Sequence, residues 1–196
     1  LNNPDSILPI KHINQKKFTI VWIGKTKKNE FIKYCNYYVP TTFIELLPGK
    51  EDWKSRIGNQ VKYSFCIYVL DTLLSDTSDI RQLKTIVESM PAGNSVIVNF
   101  KNHQNLSYVP TKIAAIQLQS ANPNDYKYAA QAIFGGISLN AQLLVNVNEY
   151  YKFGLGKTTK QTRLKYSIPE EVGIDPSKLK EIDNIVNSSI SGGAFP

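Results

Sequence analysis

Cysteine, histidine and methionine are scarce in this chain: two, two and one among 196 residues. Two cysteines, Cys35 and Cys66, do not make a disulfide framework. Cys35 falls in a predicted helix and Cys66 in a predicted buried strand, where each acts as a small apolar filler. Compartment cannot be read from them. Two histidines, His12 and His103, exclude a convincing histidine-rich metal site, and no metal or cofactor is expected. No apolar run approaches the ~18 residues that a membrane helix needs, so no membrane segment is expected. The chain opens on Leu rather than Met and has no charged-then-apolar leader, so it is expected to be a piece of a longer protein.

What is present is an ordinary globular composition, 42% hydrophobic, with a formal net charge of +7. That excess invites a nucleic-acid reading, which its distribution does not support. Residues 1–33 hold seven lysines against two acids, whereas residues 34–150 balance nine bases against nine acids. Residues 151–196 hold seven bases and five acids. The excess sits mostly at the two ends, and no aromatic-plus-basic platform of the single-strand-binding kind is apparent, so no nucleic-acid partner is expected.

Hydrophobic patterning then sets the fold class. FTIVWIG (Phe18–Gly24), TTFIEL, YSFCIYVL (Tyr63–Leu70), SVIVNF, KIAAIQLQ and LLVNV read as six strands, several of them short apolar runs that suit burial on both faces. Helices are predicted over Lys27–Tyr38, over EDWKSRIG, over Thr77–Met90 and over about Asn124–Phe134. Alternation at this spacing requires crossover connections. It implies an α/β three-layer sandwich, a mostly parallel sheet of about six strands with helices on both faces. Within the last helix, Ala129, Ala130 and Ala132 allow close approach to the sheet, and Gly135-Gly136 supplies a left-handed stop. Lys127 is expected on its mild, substitutable side.

The domain organisation follows from a change of character after Val147. Residues 1–150 form the α/β domain. Residues 151–172 read as a basic connector, with five bases and no acid between Tyr150 and Tyr166. Residues 173–196 begin something new, with Asp175 as N-cap, Pro176 as first helical residue, and Leu179, Ile182, Ile185, Val186 and Ile190 on one apolar face. That helix is expected to be loosely held, because the core it would cover is not in the sequence.

Few residues offer chemistry. Asp71 directly follows YSFCIYVL and His103 closely follows SVIVNF. Both are placed near the carboxyl ends of strands, where open α/β sheets bind ligands; the competing reading of Asp71 is a turn former or helix cap. Asp71, Asp76 and Asp79 lie in one loop, but a glycosidase pair requires a separation that sequence does not give. Ser177-Lys178-Leu179-Lys180 matches S-x-x-K, yet Lys180 lies off the apolar face and no second element of such a site is present. GLGKTT (Gly154–Thr159) lacks the first glycine of a phosphate loop, since Tyr151 stands there, and no apolar helix follows.

Taken in order, LNNPDSILPIK, VWIG, SVIVNF, YAAQAIFGG and QLLVNV resemble the second, α/β domain of glycoside hydrolase family 3. Asn3, Leu8 and Pro9 match its entrance and Ala129 to Gly136 its alanine-rich helix. The exit departs, with Ala141 for the usual glycine and Leu144 for the usual proline. The tail, EEVGIDPSKLKEIDNIV to GGAFP, is similar to the opening of a serine β-lactamase-like domain. The resemblance implies a non-catalytic accessory domain of a multidomain, β-N-acetylhexosaminidase-like enzyme, placed between an N-terminal catalytic barrel and a β-lactamase-like domain. It places the nucleophilic aspartate and the acid–base pair on the barrel, so no catalytic residue is expected in this chain. It implies carbohydrate as the ligand class and a parent of the bacterial periplasm or cell envelope. In other branches the second domain donates a carboxylic acid to the barrel, and Asp71 is the nearest candidate here. Two rivals remain open: a free-standing small-ligand module using Asp71 and His103, and a fragment of a serine hydrolase.

Overall fold

The computed structural model describes residues 1–24, 29–50, 52–58 and 61–194. Five six- or five-residue strands carry the architecture: β1 (Phe18–Ile23), β2 (Thr41–Leu46), β3 (Phe65–Leu70), β4 (Ser95–Phe100) and β5 (Ala114–Leu118). All neighbouring pairs are parallel, in the order β2-β1-β3-β4-β5. The connecting helices are α1 (Asn29–Asn36), α2 (Trp53–Ile57), α3 (Thr77–Ser89) and α4 (Pro123–Phe134).

Side-chain alternation along each strand decides which helix lies where. Phe18, Ile20 and Trp22 of β1, with Phe65, Ile67 and Val69 of β3 and Val96, Val98 and Phe100 of β4, pack under α1 and α4. Their intervening neighbours Val21, Ile23, Cys66, Tyr68, Leu70 and Ile97 face the opposite side, with Trp53 and Ile57 of α2 and Leu83, Ile86 and Val87 of α3. β1, β3 and β4 are buried along their whole length. This is the doubly covered α/β fold that the alternation of elements predicts.

Local chemistry explains the boundaries. Asp52 and Asp76 accept from the N–H groups of Lys54 and Ser78 and so cap α2 and α3. Asn122 and Asp125 close a capping box at the start of α4, with Pro123 in its first turn. Gly135 ends α4 in the left-handed region at φ 82°, as its sequence position implies. Thr162 and Arg163 both donate their backbone N–H to the Gly135 carbonyl, and the Arg163 guanidinium donates to the carbonyl of Phe134.

Two expectations are corrected. The sheet has five strands, not about six, because LLVNV forms no strand. Leu143 exchanges backbone bonds with Leu155 and Gly154, and Val147 donates to Tyr151, so this stretch pairs with its own return rather than with β5. The free edge of β5 is met instead by Asn2, which makes an antiparallel bridge to Ala115. Second, Lys127 is not on a solvated face. It is only 6% exposed, and its ammonium lies over the rings of Tyr34 and Tyr128. An aliphatic stem can be buried while its charge finds an aromatic face, which helical spacing alone does not reveal.

The first compact unit runs from Leu1 to Lys165, so residues 151–165 of the predicted connector lie within it. The second begins at Tyr166. It holds a 3₁₀ turn, Pro169–Val172, and α5 (Pro176–Ser191), which Asp175 caps and in which no residue is buried. Asp175 is held below its ordinary pKa, first by the Ser177 hydroxyl and then by the Ser177 backbone N–H.

The buried titratable groups set an alkaline limit on stability. Burial raises the Cys66 thiol to about 11 and the Tyr151 hydroxyl to about 12, and pushes Tyr68 upward as well. A raised pKa means that the folded state holds its proton longer than the unfolded chain. The stabilisation is therefore fully present below the unfolded values and is lost as pH climbs through the folded ones. Unfolding free energy, measured by urea titration, is expected to fall between about pH 9 and 12, Cys66 alone contributing on the order of 2–3 kcal/mol.

Candidate functional site

The strand order reverses between β1 and β3, since the chain passes from β1 outward to β2 and returns across β1 to β3. A crevice at the carboxyl ends of these two strands is where such sheets place ligands. Gly24 ends β1 there and Asp71 ends β3. The Asp71 backbone N–H donates to the carbonyl of Ile23, 3.0 Å away. Gly24 has φ 151°, and a Cβ on it would come within 3.3 Å of the Asp71 Cβ, so glycine lets the two strand ends lie this close.

Asp71 caps none of the described helices and belongs to no group of three or more His, Cys, Asp or Glu among the described residues. The Tyr126 hydroxyl, from the first turns of α4, donates to its carboxylate at 3.1 and 3.2 Å from the two oxygens. Burial first, and then the adjacent Asp71 carboxylate, push the Tyr126 hydroxyl well above the ordinary tyrosine range. The phenol thus stays a hydrogen-bond donor at any physiological pH. Tyr126 in turn rests on an aromatic floor. Its ring lies 4.7 Å from that of Phe100 and 5.7 Å from that of Trp22, and Phe31 packs against both Trp22 and Phe100. The other two acids that sequence grouped with it are committed elsewhere: Asp76 caps α3, and the buried Asp79, in the first turn of α3, accepts from the backbone N–H of Gly49.

His103 opens the 3₁₀ turn His103–Tyr108 beyond β4. The polar group that the structure builds next to it is one that the sequence reading missed. Asn99 and Asn105 are both fully buried. Asn105 donates to the Asn99 side chain and to the carbonyl of Thr72, and accepts from the Leu74 N–H. Asn99 donates to Gln117 of β5 and to the Asn102 carbonyl. This amide chain ties the ends of β3, β4 and β5 together behind Asp71. The signal was an asparagine inside the otherwise apolar SVIVNF.

The other motifs singled out in the sequence take structural roles among the described residues. In the S-x-x-K match the Ser177 hydroxyl donates to Asp175, the N-cap of α5. GLGKTT lies in irregular chain, where a Cβ on Gly156 would strike the Ala141 carbonyl. Among the described residues, no group of three or more His, Cys, Asp or Glu could hold a metal ion, and no helix is long and apolar enough to cross a membrane. Two cavities have neither Asp71 nor His103 in their walls. One of about 100 Å³ is lined by Gln117, Leu139 and Leu143, and an open cleft of about 490 Å³ lies between α3 and the turns at residues 107–111 and 148–150.

No protein-family model matches this sequence, and no curated protein matches it either. Among solved structures, one described as a fungal multi-domain GH3 β-N-acetylglucosaminidase with a GCN5-related glucosamine N-acetyltransferase region is similar in fold. Its TM-score is 0.53 at 11% sequence identity, over 89% of this chain. The chain spans 18% of the length of that structure. The likeness is one of fold: a parallel α/β sheet flanked by helices, of a kind found within a multi-domain glycoside hydrolase.

Proposed function

We propose that this chain is a non-catalytic accessory α/β domain of a multidomain glycoside hydrolase whose parent acts on β-N-acetylhexosaminides. The observation that carries the reading is the fold likeness across nearly the whole chain to part of a multi-domain β-N-acetylglucosaminidase. The site agrees with a supporting role. Hydrolysis of a glycoside needs two acid–base groups set a defined distance apart; here the Asp71 carboxylate accepts from the neutral phenol of Tyr126. In this proposal the carboxyl edge of the sheet leans on the parent's barrel, and Asp71 helps to line the sugar cleft between them. The exposed apolar face of α5, with Ile182 54% and Ile190 57% exposed, belongs to the next domain of the parent, of β-lactamase-like type.

The purified chain is expected to release no nitrophenol from aryl N-acetyl-β-glucosaminide or aryl β-glucoside. Turnover that survives repeated purification and disappears in Asp71→Asn would sink the accessory reading, because the chemistry would then reside in this chain.

A further inference from the structure

The fold gathers lysines that the sequence scatters. In a parallel sheet the turns that precede the strands meet along one edge, opposite the carboxyl edge. Those turns are residues 12–17 before β1, 61–64 before β3, 91–94 before β4 and 110–113 before β5, and they contain no Asp or Glu. They contain Lys16, Lys17, Lys62 and Lys112, all exposed. The Lys17 carbonyl accepts from the Phe65 N–H at 2.8 Å, so the turns bearing Lys17 and Lys62 are neighbours across the sheet. At about 4.8 Å per strand, the lysines before β1, β3 and β5 span roughly 15 Å along this amino edge. Tyr63 stands among them, 78% exposed, with the Lys62 ammonium 5.5 Å above its ring.

The open cleft of about 490 Å³ adjoins the same edge, because its wall includes Pro110 and Thr111, next to Lys112. Tyr108 and Tyr150 also line it, and Lys84, which lies over the Tyr108 ring at 5.5 Å, is matched there by Glu88. The neighbouring Glu149 side chain raises the Tyr150 hydroxyl above its ordinary pKa, and the Tyr150 ring is 61% exposed at the cleft. Lys84 and Glu88 balance within the lining and Glu149 adds an acid beside Tyr150, while the turns of the adjoining amino edge carry only lysines as charged side chains. An aromatic-walled, hydroxyl- and amide-lined hollow suits a neutral sugar ring. Lysines spaced along the adjoining edge suit acid groups repeated along a chain. We infer that the amino edge of the sheet and this cleft together bind an acidic glycan.

The choice of a glycan over other polyanions rests on the accessory reading above; the acid is required by the lysines alone. Hyaluronan oligosaccharides, which alternate N-acetylglucosamine with a uronic acid, are the probe, with neutral chitohexaose, polyphosphate and duplex DNA as comparisons. Calorimetry on the full chain is expected to show hyaluronan binding that weakens with salt and exceeds that of all three comparisons. Replacing Lys16, Lys62 and Lys112 together with Gln is expected to weaken it at least about tenfold, while replacing the same three with Arg retains it. Tyr150→Ala is expected to weaken hyaluronan about threefold and leave polyphosphate unchanged. Since these side chains are exposed, thermal melts should not move. Absence of hyaluronan binding at low salt, indifference to the Gln variant, or polyphosphate and DNA binding as tightly as hyaluronan would each overturn the inference. None of these outcomes touches the accessory reading, which is decided by glycosidase turnover.

Discussion

Trp22→Ala is expected to lower the unfolding free energy by about 3–5 kcal/mol, the usual cost of emptying a buried aromatic site. Trp22 is fully buried in the middle of the sheet and makes ring contacts with Phe31 of α1, Phe100 of β4 and Tyr126 of α4. Three elements would lose their common support at once. The indole Nε1 makes no hydrogen bond among the described residues, so no polar partner is orphaned and the loss is one of packing alone. Trp22→Phe should accordingly recover most of the stability. Tyr126 sits on this ring and holds Asp71, so the Ala variant should also loosen the carboxyl edge. Urea denaturation of both variants gives the test. A loss below about 1 kcal/mol for Trp22→Ala would mean that this floor does not support the sheet as described.

The second large effect is overpacking at α4. Ala130 is 0% and Ala132 1% exposed, and both lie in the core between α4 and the sheet. Leu at either position must displace neighbours that are already close-packed, at a cost of about 1–3 kcal/mol. At least one of Ala130→Leu and Ala132→Leu should melt clearly below the parent protein. Lys127→Leu no longer serves as the mild comparison. Its buried stem and its two tyrosine neighbours make that change costly too, whereas Asn124, at the exposed start of the helix, is the suitable control. If both alanine variants melted within a degree of the parent, α4 would not be seated on the sheet.

The class of fold was legible because its signals are local and redundant. SVIVNF and YSFCIYVL are apolar at consecutive positions, which only strands covered on both sides require. Asp52, Asp76, Asn122, Asp175 and Gly135 carry stop and start chemistry at the positions where the helices begin and end. LLVNV was misread because alternation of burial persists in it, with Leu143 buried and Leu144 exposed, while its backbone partners come from Gly154 and Leu155. No pattern within five residues reports where hydrogen bonds will be made. The same limit governs the site. Asp71 could be placed at a strand end, but Tyr126, Asn105 and Gln117 reach that edge from other elements, and only the closed fold brings them there.

The clasp between α4 and the segment at 162–164 has a consequence for how the protein is made. The last carbonyls of any helix lack partners within it. Here Phe134 and Gly135 receive theirs from Arg163 and Thr162, while the Tyr38 hydroxyl, whose ring stacks on Phe134, donates to the carbonyl of Leu164. During synthesis the five strands and α4 emerge well before those donors do. Until they arrive, the turn at Gly135 closes the helix but the carbonyls of Phe134 and Gly135 have only water for partners. A chain trimmed at residue 150, where composition alone would draw the boundary, would stay at that stage permanently. The irregular stretch to Lys165 is therefore the piece whose emergence completes the fold.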